Sequence, residues 1–228
     1  MKPEANALWL FRRRTSPIEA LRFGNYIAIP PCKPLTFLER YFHEAGHIIG
    51  WNLSFKDRDV LTPDEAKIAK VANIDFKTRA MVLTALKLNI PGQEKLLFDF
   101  ANSILDTFTK RNFDLSVIRV HYNFPRERLD KIARRMQKKA TTYIVTNTGE
   151  IQLTSSRDGR NDEIPSYATM RACIKIMENT LDLPLIKYHK IGEGFSSSHA
   201  RAFNIVDRAY TQNGIILPSY LDVVGKNY

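Results

Sequence analysis

The spacing of apolar residues predicts that most of the chain is helical. Between residues 35 and 53, apolar side chains recur every three or four positions, the repeat of an amphipathic helix packed on a core. Comparable patterns follow, broken at residues 73–75 and by the pair Pro91 and Gly92. The predicted helices cover residues 35–53, 63–72, 76–88, 94–110, 125–140, 166–179 and 197–212.

Short apolar runs predict strands at two places. The runs at residues 7–11 and 26–29 indicate a small sheet near the N-terminus. Residues 143–146 and 150–154 flank an Asn-Thr-Gly sequence, which is typical of a hairpin and its turn.

These elements together predict an α+β fold that is mainly helical. It has a small N-terminal sheet, a helical middle, a basic helix followed by a β-hairpin, and a helical C-terminal part. The polar segment 155–162 contains Gly159 and predicts a loop. This loop is the expected boundary between an N-terminal region, 1–155, and a C-terminal helical region, 156–228, the alternative being a single domain.

The charge of the chain points to an anionic partner. Lys and Arg number 34 against 24 Asp and Glu, a formal net charge of +10. Residues 110–139 hold ten of the basic residues and only three acidic ones, so seven net charges lie in this segment. Phosphates are the commonest partner of such an excess, because their neutralisation releases condensed counterions. We therefore expect a nucleic acid, DNA rather than RNA, as the partner.

Other features of the composition exclude several classes. Two distant cysteines make no disulfide framework and no cysteine-based zinc site. No apolar run is long enough to cross a membrane, and the N-terminus lacks a signal-peptide layout. The sequence therefore predicts a cytoplasmic, intracellular protein without a membrane partner.

The predicted helix 125–140 and the hairpin after it resemble the helix-and-wing arrangement of winged-helix domains. The helix carries an apolar stripe on one side and closely spaced cations elsewhere, which suits a phosphate backbone. The candidate nucleic-acid-binding residues in this helix are Arg126, Lys131, Arg134, Arg135, Lys138 and Lys139. The alternative is a solvated helix face.

Residues 62–88 loosely resemble a helix-turn-helix. Ala69 is small enough for a close helix crossing, and the turn region contains Asn73 followed by an apolar residue and a capping Asp. The resemblance places side chains that would reach bases or phosphates at the start of the second helix. These candidates are Lys77, Thr78 and Arg79.

The sequence HEAGH at residues 43–47 resembles the active-site helix of zincin metallopeptidases. In that family, His43 and His47 would bind zinc from one helical face, and Glu44 would be the general base. Glu65 is the candidate third ligand, although Thr62 and Glu65 also have the spacing of a capping box. A second interpretation of HEAGH is a polar, solvent-facing side of the helix.

Two functions follow from these observations. The leading hypothesis is a nucleic-acid-binding protein that needs no cofactor, either a transcription regulator or one subunit, beside other proteins, of a nucleoprotein complex. The alternative is a zinc-dependent metallopeptidase of the HEAGH type, with zinc as its cofactor.

Overall fold

The structure, a computed structural model, describes residues 20–52, 60–110, 113–139, 143–145, 151–153 and 159–183. In these ranges the chain is mainly helical with a small sheet near its N-terminal end, which confirms the predicted fold class. The helices are α1 (Pro34–Asn52), α2 (Pro63–Ile68), α3 (Phe76–Leu88), α4 (Glu94–Phe108), α5 (Arg126–Lys139) and α6 (Gly159–Leu181). The strands are β1 (Leu21–Phe23), β2 (Tyr26–Ile29), β3 (Arg119–Tyr122), β4 (Tyr143–Val145) and β5 (Ile151–Leu153).

The N-terminal sheet has three strands in the order β1-β2-β3. Strand β2 pairs antiparallel with β1 and parallel with β3. Gly24 lies in the turn from β1 to β2 with φ of 55°, a left-handed conformation that glycine adopts without strain. The sequence predicted β2 but neither of its neighbours, and the predicted run at residues 7–11 lies outside the described residues.

The two sides of this sheet pack against different helices. On one side, Ile27 and Ile29 are fully buried in the main core, which includes α1. On the other side, Ala28 forms a smaller cluster with Phe124 and with Leu129 of α5. The sheet therefore lies between α1 and α5.

Helix α1 is the centre of the main core. It packs against β2, α4 and α6, and the most extensive of these contacts is with α6. Tyr41 of α1 is buried, and its hydroxyl donates a hydrogen bond to Oδ1 of Asn102 in α4. Burial raises the pKa of the Tyr41 hydroxyl, so this group stays neutral. The large buried side chains of the core include Phe37, Leu38, Phe42, Ile48, Ile49, Leu97, Phe100, Ile104 and Leu105.

Helix α6 differs from the prediction at its N-terminal end. It begins at Gly159, whereas the sequence predicted a loop over 155–162 and a helix from residue 166. A glycine, a polar run and Pro165 are typical of a loop, whereas the helix in the structure includes them. Residues such as Cys173 and Met177 of α6 are buried in the same core as α1.

The structure confirms the two strands of the predicted hairpin. β4 and β5 pair antiparallel, with Tyr143 opposite Leu153, and they follow the basic helix α5 as predicted. The turn between them and the predicted helix 197–212 lie outside the described residues. None of the helices in the described ranges combines the length and apolar character needed to cross a membrane.

Candidate nucleic-acid interface

Helix α5 is held on the sheet by its apolar side. Leu129 is fully buried against Ala28 and Phe124, and Ile132 packs partly buried beside them. One turn earlier, the carbonyl of Pro125 accepts a hydrogen bond from the Leu129 N–H at 3.0 Å, which starts the helix. The predicted apolar stripe is therefore the side that contacts the protein, for the residues whose side chains are described.

The described cations of α5 lie outside this apolar cluster, and the Arg128 guanidinium is 5.5 Å from the Phe124 ring centroid at its border. Arg128 and Lys131 are exposed, and Arg126 is half-exposed with its Nε 3.9 Å from Oδ1 of Asp130. The helical backbone continues to Lys139, but the side chains of the remaining candidates are outside the described part of the structure. These candidates are Arg134, Arg135, Lys138 and Lys139.

A second basic and aromatic area lies where β2 pairs with β3, one of the two edge strands of the sheet. The register pairs Tyr26 with Arg119 and Ala28 with His121, so these side chains share the side of the sheet that α5 covers. Arg119 Nη1 donates a hydrogen bond to the Tyr26 hydroxyl at 2.9 Å, and its guanidinium lies 5.5 Å from the ring centroid. None of these residues was a predicted site residue. The alternation in Arg-Val-His-Tyr at 119–122 was the signal that could have indicated the strand.

The candidates in the helix-turn-helix segment differ in their exposure. Asp75 caps α3, since its Oδ1 accepts the Thr78 N–H at 2.9 Å, and the hydrogen bonds from Thr78 lower the pKa of this carboxyl. Lys77 is exposed, whereas the Arg79 guanidinium is half-buried and hydrogen-bonded to Asp182 after α6. Of the three candidates, Lys77 is the most accessible to a ligand.

Helix α2 of the same segment is short and packed against α6. The Asn179 side chain of α6 donates hydrogen bonds to the carbonyls of Ala66, Lys67 and Ala69, which satisfies the C-terminal end of α2. Seven residues, 69–75, then connect α2 to α3. This connection is longer than the tight turn of the motif the sequence resembles.

The histidines of HEAGH lie between α1 and α6. Their ring centroids are 5.0 Å apart, and the His43 ring is 4.5 Å from the ring of Tyr167 in α6. Both histidines and Glu44 are half-buried. At His43 this side of the helix is therefore packed against α6 and only partly open to solvent.

The glycine of HEAGH has a packing role. A Cβ atom at Gly46 would lie 2.8 Å from the Ser166 Cα, 3.1 Å from the Ser166 carbonyl oxygen and 3.0 Å from the Thr169 Cβ. The first distance is shorter than nonbonded carbon atoms tolerate. Gly46 thus permits the close approach of α1 and α6, a reason for its presence that involves no metal.

Glu65 is engaged in capping α2. Its Oε2 accepts the Thr62 N–H at 2.7 Å, while the Thr62 hydroxyl accepts the Glu65 N–H, which confirms the capping box. Its Oε1 accepts a hydrogen bond from the Lys110 ammonium at 3.2 Å. Within the described ranges, no three histidine, cysteine or carboxylate side chains come together as a metal site. The structure therefore does not bring His43, His47 and Glu65 together as one three-ligand group.

The capping role of Glu65 predicts a specific pH dependence. Hydrogen bonds, first from the Thr62 N–H and then from the Thr62 and Lys110 side chains, lower the Glu65 pKa below its ordinary 4.5. The stability this group adds is present above pH 4.5 and is lost as the pH falls through the lower folded value. A Glu65→Gln variant keeps an acceptor without the charge. Its free energy of unfolding, measured with urea from pH 6 down to about pH 3, should therefore fall less than that of the unaltered protein. Identical profiles would contradict the capping role.

Comparison with known proteins found no matching family model, no matching curated protein and no matching solved structure.

Proposed function

We propose that the protein binds nucleic acid, mainly through phosphates, on a surface formed by α5 and the β3 edge of the sheet. We call this the α5 surface, and its described cations are Arg119, Arg128 and Lys131. The observation that carries the proposal is the burial of Leu129 on the sheet. It sets the orientation of the first turns of α5, in which Arg128 and Lys131 are exposed.

The arrangement of charge suits a phosphate backbone better than a general solubility role. The charges of Lys110 and Arg126 are partly balanced by the nearby carboxylates of Glu65 and Asp130. Arg128 and Lys131 are exposed and therefore accessible to phosphates. By the helical repeat, positions 134, 135 and 138 fall on the same side of α5 as Lys131. A row of cations on one side of a helix can follow a chain of phosphates with less loss of backbone freedom than an unstructured basic segment.

Phosphate binding is compatible with two cellular roles. A protein that binds through phosphates has little sequence preference from those contacts alone. A transcription regulator would add base contacts, and exposed Lys77 at the start of α3 is one candidate for them. A subunit of a nucleoprotein complex would need only the α5 surface and contacts with other proteins. Neither role calls for a cofactor.

Charge reversal on the α5 surface tests the proposal. In an Arg128→Glu, Lys131→Glu double variant, two phosphate contacts are lost and two repulsive charges are added. The affinity for nucleic acid should fall, and the slope of log K against log salt should become shallower by about 1.4–1.8 for two contacts. Fluorescence anisotropy with a labelled oligonucleotide at several salt concentrations measures both quantities.

The matched control reverses two exposed lysines elsewhere. A Lys87→Glu, Lys95→Glu variant on α3 and α4 undergoes the same change in net charge. The change at position 95 also breaks an exposed ion pair with Asp99, so equal urea midpoints are required of the two double variants. The control variant should bind with a slope close to that of the unaltered protein. If both double variants lose affinity equally, only the net charge matters, and the α5 surface is not the binding site.

The zinc metallopeptidase remains the alternative hypothesis. Among the described residues no observation favours it, since Gly46 and Glu65 both have structural roles and α6 packs along the histidine side of α1. Metal analysis of the purified protein discriminates between the two functions. About one zinc per chain, lost in a His43→Ala variant, would support the metallopeptidase.

A further inference from the structure

Two exposed rings lie close to each other on the sheet, one on Tyr26 of β2 and the other on His121 of β3. Tyr26 is 51% exposed, although the next three residues of β2 are at most 4% exposed. His121 of β3 is also exposed, and its ring packs edge-on against Phe124, with centroids 5.1 Å apart and an interplanar angle of 83°. Phe124 is itself buried, so His121 rests on a fixed support.

One cation contacts the Tyr26 ring, and a second contacts Phe124, the residue that supports His121. The Arg119 guanidinium contacts the Tyr26 ring from the neighbouring strand, and the Arg128 guanidinium lies 5.5 Å from the Phe124 ring centroid. Arg119 and His121 are two positions apart on one strand, a distance of about 6.6 Å. Tyr26 of β2, Arg119 and His121 of β3, and Arg128 of α5 therefore form one exposed group of two rings and two cations on the α5 side of the sheet.

This group of rings and cations suits one form of nucleic acid. In a duplex the bases stack on each other and present only their edges, so a protein ring has no base face to stack on. In a single strand the bases are available, and aromatic side chains with nearby cations bind them with little sequence preference.

We propose that Tyr26, Arg119 and His121, which we call the β3-edge platform, stack unpaired bases, and that the ligand of the protein is a single-stranded nucleic acid. This inference rests on the proposed function, because α5 supplies the phosphate contacts beside the platform. It specifies the ligand as a single-stranded nucleic acid. The two rings hold neighbouring bases, and Arg119 contacts the strand.

The experiment compares single strands with a duplex, using the full-length protein. The probes are a labelled oligonucleotide of about 16 nucleotides as single-stranded DNA, the same sequence as single-stranded RNA, and its DNA duplex. The unaltered protein should bind at least one single strand more tightly than the duplex, and the tighter single strand identifies the natural source. Tyr26→Ala and His121→Ala should each weaken single-strand binding about tenfold. Each should change duplex binding by less than about twofold.

Conservative variants separate stacking from folding. Tyr26→Phe and His121→Phe keep a ring, so each should bind single strands several-fold more tightly than the corresponding Ala variant. Tyr26→Phe also removes the hydroxyl that accepts from Arg119, so its affinity should lie below that of the unaltered protein. Equal urea midpoints for all variants would show that these exposed positions leave the fold intact. The platform is overturned if the duplex binds as tightly as both single strands, or if removal of the rings leaves single-strand binding unchanged.

The outcomes also separate this inference from the proposed function. If the Arg128→Glu, Lys131→Glu variant loses affinity while Tyr26→Ala and His121→Ala do not, the proposed function stands and the platform fails. If no probe binds at low salt, both fail.

Discussion

Replacement of Gly46 by Ala should destabilise the protein by about 1–3 kcal/mol, although Ala is the better helix former. The added Cβ would meet the Ser166 backbone at 2.8 Å, and a backbone cannot rotate away as a flexible side chain can. Helices α1 and α6, whose contact is the most extensive between any two described elements, would therefore have to move apart. Urea unfolding measures the loss, and a larger side chain in Gly46→Val should increase it.

The control exchanges the same two residue types in the opposite sense. Ala80→Gly in α3 should destabilise by about 1 kcal/mol through helix propensity alone. Under the packing account both substitutions destabilise, even though one adds and the other removes a methyl group. If Gly46→Ala is as stable as the unaltered protein, the helices do not require glycine at this position. Another reason for the glycine in HEAGH would then be needed.

Replacement of Leu129 by Ala should release α5 from the sheet and weaken nucleic-acid binding without any change in charge. Leu129 is fully buried in a small cluster with Ala28 and Phe124, and a buried Leu→Ala change costs about 2–5 kcal/mol. The main core around α1 is a separate cluster, so it should stay folded. Amide hydrogen exchange should show faster exchange over α5 and unchanged protection in α1, α4 and the C-terminal half of α6.

Leu88→Ala is the matched control for this prediction. Leu88 is 69% exposed in α3, so the same substitution there should change stability by no more than about 0.5 kcal/mol and leave binding unchanged. Binding at full affinity by Leu129→Ala would mean that the docked orientation of α5 is irrelevant. The basic segment would then act as a string of charges, contrary to the proposal.

Sequence periodicity predicted the helices well where one face is buried. Helix α1 covers 34–52 against a prediction of 35–53, and α3 and α5 agree within one residue at each end. The capping box at Thr62 was predicted from spacing alone, because both of its hydrogen bonds are local. Such elements depend on residues three or four positions apart.

Elements fixed by distant contacts could not be predicted in the same way. Strand β3 pairs in parallel with β2 across about ninety residues of sequence, a separation the local pattern does not encode. The start of α6 reads as a loop, and the need for Gly46 depends on Ser166, which is 120 positions away. A helical wheel shows which residues share a face but not which helix will cover it.

The candidate site was predicted only in part for the same reason. The excess of charge over 110–139 is visible in the sequence, and the exposed cations of α5 follow from its apolar stripe. The rings of Tyr26 and His121 join this surface only when β2 and β3 pair. Conversely, Arg79 was a candidate from its position at a helix start, but its ion pair with Asp182 involves a residue 103 positions later.

The salt dependence of nucleic-acid binding by the unaltered, full-length protein tests the central claim most directly. With Arg119, Arg128 and Lys131 each neutralising one phosphate, a plot of log K against log salt should be linear with a slope of about −2 or steeper. Absence of binding at low salt, or an affinity that does not change with salt, would contradict the account.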